Sequence, residues 1–400
     1  MTHISGFHRL NLEERRQALR TITAEETLNP LLDAAQPTPL DAFDRMSENV
    51  IGTFRLPLSV LTSVCVNGVG RPVAMVTEEP SVVAAANAAT ALFERCGGVN
   101  TRFLKPVTSA QIVLSTTDAM AAFDVNAYLV CRHKRWLEIA NQADPGLIAA
   151  GGGAFDLSFE CLQQAGFEQT FIVGKLDVHT VDIMGANAVN TMAEAVLNAM
   201  ESDIAQAFPD ASVERVMAIL TNAAPGRLVH ATVQLPFEQL NGYRKQIPGD
   251  KLAHKVELAS RFAITCPQRA VTHNKGILNG IFAAATPLGQ DTRAIAASAL
   301  DYACQSGVQR PLATWKISGD TLQGDLTLPI VAGTIGGARH ALPSIDAAFR
   351  FAAILSYEDL CGVLSAIGLA QNFAALAALV TDGIQEGHLK LHRRKLQPGG

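Results

Sequence analysis

Five short stretches hold side chains able to move protons, stabilise charge or bind an anion. Thr77-Glu78-Glu79-Pro80-Ser81 ends one element and starts a helix. Pro80 suits the first helical position, which puts Glu79 at the N-cap. Capping alone accounts for Glu79. As an acid it needs a raised pKa, whereas a helix N-terminus lowers one, so burial or a nearby carboxylate must win. Arg269 and His273-Asn274-Lys275-Gly276 read as a loop bounded by Pro267 and Gly276. A cation there either stabilises an oxyanion or belongs to a solvated basic loop. Gln290-Asp291-Thr292 begins a helix through Ile295 to Cys304, with Asp291 as N-cap.

His388 and His392 stand four apart, on one face of a helix. Such a pair can hold a metal, but no Glu lies between them as in HExxH, and a single His proton donor is equally compatible. Asp182-Ile183-Met184-Gly185-Ala186-Asn187 sits between a strand and a helix. Its Gly lets an anion approach free N–H groups; an ordinary turn capped by Asn187 is the plainer reading. The sequence contains no GxGxxG and no GxxxxGK[ST], so a dinucleotide here is not held by a Rossmann fingerprint or a Walker loop. No GxSxG occurs either.

Positioning these residues requires a mixed architecture. Asn11 with Glu14 and Thr23 with Glu26 form two capping-box patterns, and a third helix runs into Glu48-Asn49-Val50-Ile51-Gly52. Strands are expected over Phe54 to Val66 and Val73 to Val76, then a helix from Pro80 closed by Gly97-Gly98. Ser109 to Val130 has short β-like runs. A helix over Arg132 to Asn141, a strand over Gln169 to Val178, a helix through Val189, Met192, Val196 and Met200, and a strand over Val213 to Leu220 follow. That alternation marks a small α+β unit inserted at 109–220. From Ala231 the chain is helix-rich, ending in a long helix from Tyr357 to Thr381.

Composition narrows the function classes. With 400 residues, 48% hydrophobic and 17% charged, the chain can bury sizeable cores. The 32 basic and 37 acidic residues are well mixed, giving net charge −5, and no basic stripe suggests a nucleic-acid partner. Seven scattered cysteines without a CxxC pair suit a reducing compartment rather than a disulfide framework or zinc ribbon. Neither a signal peptide nor a transmembrane run stands out, and a cytoplasmic protein is expected.

Taken together, ENVIG (48–52), TEEPS (77–81), DIMGAN (182–187), HNKG (273–276) and GHLKLH (387–392) occur in an order and spacing that closely resemble the class II (bacterial-type) 3-hydroxy-3-methylglutaryl-CoA reductases. The resemblance runs from Phe7 to His392. It implies a discontinuous large helix-rich domain, 1–108 and 221–385, for substrate, CoA and dimerisation. A small non-Rossmann dinucleotide domain would fill 109–220. A C-terminal flap would start at 386, and it reads as truncated at Gly400. It further implies a homodimer with the active site shared across the interface.

By position, Glu79 resembles the acid that delivers a proton to the aldehyde oxygen, and Lys275 the stabiliser of the developing alkoxide. Asp291 resembles the carboxylate that holds this lysine and tunes Glu79, and His388 the group that protonates the CoA thiolate. Ser81 and Arg269 would hold the substrate's free carboxylate. Asn279 would be a hydrogen-bonding partner one turn after Lys275, and Arg9 a phosphate contact for CoA. Asp182, Met184, Gly185 and Asn187 fall on the cofactor segment; no metal is implied. Asp144 aligns with the acidic residue of NAD-using members, where a carboxylate repels a 2′-phosphate, so NAD(H) is favoured over NADP(H) although Arg132, Lys134 and Arg135 lie near. The implied chemistry is reduction of 3-hydroxy-3-methylglutaryl-CoA to mevalonate and CoA, or its reverse. Two rivals are a non-redox CoA-thioester enzyme, which would release CoA without a cofactor, and an inactive flap-less homologue, which would bind without turnover.

Overall fold

A computed structural model describes residues 4, 6–32, 38–244, 247–336, 339, 341–381 and 383. The chain divides into two compact units, one made of the described residues of Met1–Phe103 and Leu228–Gly400, the other of Leu104–Arg227. The inserted unit therefore extends a few residues beyond 109 and 220 at each end, taking in the whole of its first strand.

Before the insertion come α1 (Leu12–Arg20), α2 (Glu25–Leu32), α3 (Leu40–Asp44), β1 (Leu58–Val66), β2 (Val69–Val76), α4 (Pro80–Arg95) and β3 (Asn100–Phe103). Asn11 and Glu14 close the expected capping box on α1. The third helix does not reach 48–52, because it stops at Asp44 and Asn49 takes a positive φ of 59° that no right-handed helix continues. Asn67-Gly68, at φ 50° and 81°, makes a two-residue turn that pairs β1 with β2. The second strand consequently starts at Val69, earlier than expected, and the first starts at Leu58 rather than Phe54.

The inserted unit holds β4 (Val107–Thr116), α5 (Ala119–Cys131), α6 (His133–Ala143), α7 (Pro145–Ala149), β5 (Gly153–Gln163), β6 (Thr170–His179), α8 (Ala186–Ala207) and β7 (Glu214–Leu220). Its sheet has the order β5-β6-β4-β7 and is antiparallel throughout, so it is not a doubly wound nucleotide fold. Ile112, Leu114, Ile172 and Leu176 on one face pack with Leu129, Trp136, Val189 and Met192 from the helices. The β-like texture expected up to Val130 ends at Thr116. Asp118 then caps α5, accepting from the Met120 and Ala121 N–H groups.

The chain returns through β8 (Leu228–Pro236), α9 (Phe237–Leu240), α10 (Gly249–Thr265), α11 (Pro267–Ala285), α12 (Thr292–Cys304), β9 (Ala313–Ser318), β10 (Thr321–Pro329), α13 (Pro343–Phe351) and α14 (Tyr357–Leu379). Strands β3, β8, β10 and β9 form a second antiparallel sheet, which the helix-rich reading of this region did not anticipate. Its mark is the strict alternation of buried Val229, Ala231, Val233 and Leu235 with polar neighbours. Helix α14 is long and apolar enough to cross a membrane, yet it lies in the core of its unit, buried along almost its whole length. It meets α11 through glycines. A Cβ on Gly280 would come within 2.9 Å of Gln371, and one on Gly368 within 2.9 Å of Ile281.

Candidate active site

Arg269 and His273–Gly276 are not in a loop: all lie within α11. Pro267 occupies the first turn, where its missing N–H costs nothing. Gly276 faces open space and breaks no contact. The apolar stripe Ala270, Ile277, Ile281 and Ala284 is buried, and it fixes the rotation of the helix. Lys275 is consequently exposed, and it has no hydrogen bond or ion pair among the described residues. Asn279, one turn on, is half-buried on the same side. Arg269 lies six residues before Lys275, about 120° round the helix, so the two cations do not share a face.

The two residues preceding Lys275 are anchors. Asn274 is buried; its amide donates to the Arg310 carbonyl (2.8 Å) and its oxygen accepts from the Leu312 N–H (2.8 Å). His273 is 2% exposed, with Nε2 3.0 Å from the Ala313 carbonyl. Its Nδ1 is buried without a partner among the described residues. Burial, reinforced by the Arg269 guanidinium, lowers the His273 pKa to about 4. The sequence reading treated HNKG as one cationic motif and missed this division of labour.

A pH dependence of stability follows. Between about pH 6.5 and 4 the unfolded chain protonates this imidazole while the fold keeps it neutral. The stabilisation is complete above pH 6.5 and is lost as pH falls toward 4, to a limit of about 3 kcal/mol. A His273→Gln variant is expected to show a smaller drop in urea midpoint between pH 7 and pH 4.5 than the parent. Equal drops would assign the acid sensitivity elsewhere.

Glu79 is the N-cap of α4, as its sequence position predicts, accepting from the Ser81 N–H at 3.2 Å. Its own N–H donates to Thr77 Oγ1 at 3.2 Å. Glu79 and Ser81 thus meet at one helix end, both half-buried. Asp291 caps α12 through the Arg293 and Ala294 N–H groups and pairs with the Arg293 guanidinium at 3.1 Å. Helix α11 packs against both α4 and α12, so three of the four expected catalytic side chains belong to one packed helix set. Among the described residues Lys275 makes no direct bond to either carboxylate. Arg9 is exposed in a single 3-10 turn, Phe7–Arg9. His388 and the rest of GHLKLH lie outside the described residues.

In the inserted unit, Asp182 to Gly185 lead into α8. Gly185 itself, at φ 96°, is the N-cap and makes no side-chain cap bond. Asn187 is therefore inside the helix and exposed, not its cap. A Cβ on Gly185 would lie 2.5 Å from Thr180 Cγ2. Glycine is required here both for the left-handed backbone and for this close approach. The uncapped N-terminus of a 22-residue helix, reached over a bare glycine, fits the phosphates of a dinucleotide. Asp144 caps α7, accepting from the Leu147 N–H at 2.9 Å. Sequence reasoning missed Arg227, a fully buried guanidinium under the Ile183–Met184 turn.

Known proteins resemble the chain over almost its whole length. The family model described as hydroxymethylglutaryl-coenzyme A reductase matches residues 11–393. The 3-hydroxy-3-methylglutaryl-coenzyme A reductase of Archaeoglobus fulgidus is 38% identical over 99% of this chain and 86% of its own length. The probable reductase of Borreliella burgdorferi is 32% identical over 89% and 78%. The class II reductase of Streptococcus pneumoniae, bound to NADPH in open conformations, aligns with TM-score 0.86 at 36% identity, covering 94% of this chain and 99% of that one. The chain belongs to the hydroxymethylglutaryl-coenzyme A reductase family, in its class II branch.

Proposed function

We propose that the chain interconverts 3-hydroxy-3-methylglutaryl-CoA and mevalonate by two successive hydride transfers. In the reductive direction the thioester, two reduced cofactors and two protons give mevalonate, CoA and two oxidised cofactors. The first transfer gives a hemithioacetal, which collapses to mevaldehyde and CoA; the second gives the alcohol. A bound nicotinamide dinucleotide supplies or takes up the hydride.

The observation that carries this reading is Lys275, an exposed cation on a helix whose two preceding residues are locked to the 310–313 backbone. The helix segment that presents this ammonium is fixed before charge develops on the substrate oxygen, so it needs no reorganisation during the reaction. Glu79 gives its proton to the aldehyde oxygen in the second stage, and Asp291 is the carboxylate that acts with it. Ser81, Arg269 and Asn279 hold the substrate's carboxylate and hydroxyl, Arg9 contacts CoA, and His388 protonates the departing thiolate.

The direct test follows nicotinamide absorbance with the CoA ester and NADH or NADPH, then with mevalonate, CoA and the oxidised cofactors. Turnover supports the reductase. Tight binding of the CoA ester without turnover would indicate a non-catalytic homologue, and CoA release without cofactor a non-redox enzyme.

NAD(H) is the preferred cofactor in this reading. Asp144 places a carboxylate at the head of α7. Two of the three nearby cations are engaged: Arg132 lies 3.5 Å from the Tyr128 ring centroid, and Arg135 pairs with Asp203 at 2.9 Å. The Streptococcus enzyme is bound to NADPH, so class II membership does not by itself settle the choice. An Asp144→Ser variant is expected to shift the kcat/KM ratio toward NADPH by about tenfold or more, the effect of removing one like-charge contact. An unchanged ratio would remove Asp144 from cofactor choice.

The working enzyme is a homodimer in the same reading. Ile51 and Phe54, in the extended segment before β1, are 99% and 91% exposed, a conspicuous apolar pair for a single chain to leave in water. The double variant Ile51→Ser/Phe54→Ser is expected to sediment as a monomer at concentrations where the parent is a dimer. It should also lose activity. A dimer of unchanged stability would place the interface elsewhere.

A further inference from the structure

We propose that Arg227 is the positioning residue of the dinucleotide-binding turn, acting through Thr108 and Thr180; this rests on reading residues 182–187 as that turn. Arg227 is 1% exposed, Thr108 4% and Thr180 fully buried. The guanidinium donates through Nε to Thr108 Oγ1 (3.0 Å) and through Nη2 to Ile183 O (3.0 Å), Met184 O (2.7 Å) and Thr180 Oγ1. Both hydroxyls pass the bonding on. Thr108 donates to Met184 O at 3.3 Å, and Thr180 to Pro106 O at 3.3 Å. One planar fork thereby ties β4, the end of β6 and the turn before α8 into a single buried network.

The consequence for the turn is directional. In a trans peptide the carbonyl of one residue and the N–H of the next point opposite ways, and the described chain contains no cis peptide. Drawing the carbonyls of Ile183 and Met184 onto Arg227 therefore turns the N–H groups of Met184 and Gly185 away from it. The Gly185 N–H is one of the four that open the α8 N-terminus. The same two threonines meet the face of Gly185 that a side chain would occupy, with Thr180 Cγ2 at 2.5 Å and Thr108 Oγ1 at 3.4 Å from a Cβ built there. Arg227 and its threonines thus set both the direction of the donors and the floor beneath the glycine. A lysine cannot replace this fork, because it presents a point charge instead of a planar set of donors.

Two variants test the assignment. Arg227→Lys keeps the charge, and Thr108→Val keeps the shape while removing one hydroxyl. Calorimetric titration with NADH is expected to show Kd weakened about tenfold or more in Arg227→Lys and about threefold in Thr108→Val, the effect of lost buried hydrogen bonds. KM for the CoA ester should stay within about twofold, since a cofactor-loop defect removes cofactor binding only. In the cofactor-free protein, amide exchange over 183–188 should accelerate while that of α11 is unchanged. Folded variants with parental NADH affinity and parental exchange would overturn the proposal, as would parallel losses for both substrates. Should Arg227→Lys fail to fold, Thr108→Val decides. If the parent itself neither binds nor oxidises the dinucleotide, the functional reading fails instead, and the exchange measurement still judges whether Arg227 orders the turn.

Discussion

Replacing Lys275 with alanine is expected to lower kcat by about two to three orders of magnitude, the usual loss for one charge-stabilising donor. The substitution removes an exposed side chain with no partner among the described residues, so the fold has little to lose and the melting temperature should barely move. KM for the CoA ester and for the cofactor should also change little, because the interaction is made chiefly as the alkoxide forms. Lys275→Arg restores the charge but not its compact shape, and partial recovery is expected. Steady-state kinetics with a thermal melt checks all three statements. A kcat loss below about tenfold would show that another group stabilises the oxyanion.

Asn274→Ala is expected to produce the largest loss of stability among the site residues. Removing the amide strands the buried Leu312 N–H and takes the partner from the carbonyl of the exposed Arg310. At roughly 1–3 kcal/mol for the stranded N–H, with a small cavity and the lost bond to Arg310 added, the cost is about 2–4 kcal/mol. That is a large fraction of what holds a domain together. Asn274→Asp keeps the acceptor for Leu312 but sets a buried carboxylate against the Arg310 carbonyl, so at neutral pH it should be at least as destabilised as alanine. Urea midpoints measure the series. A loss under about 1 kcal/mol in the alanine variant would mean that solvent reaches both groups and that the anchor is dispensable.

What the sequence disclosed about this molecule was mostly local. The caps at Glu79 and Asp291 depend on neighbouring residues alone, and both are found where the side-chain types place them. The length of α14 follows from its proline-free, Ala/Leu-rich run. Misreadings occurred where a local signal has two physical meanings. Proline and glycine around HNKG suggested a loop, yet Pro267 opens a helix and Gly276 merely faces open space. Ala, Val and Phe through 119–131 satisfy strand and helix alike, and the decisive residue was the cap Asp118. Beyond reach were contacts between distant positions. Asn274 meets a segment 36 to 38 residues away, and Arg227 meets Thr108 across 119. No short-range pattern marks either residue as an anchor.

Helix α14, the centre of the larger unit, is also the last helix among the described residues. During synthesis, β1, β2, α4 and the returning sheet therefore leave the ribosome before the element they pack around exists. At translation rates of about 5–20 residues per second, the interval between completing β3 and starting α14 is on the order of tens of seconds. The 104–227 unit has its own core, so it can fold within that interval. The larger unit cannot. Its apolar surfaces stay uncovered until α14 is made, so the nascent chain exposes more aggregation-prone surface than the mature protein.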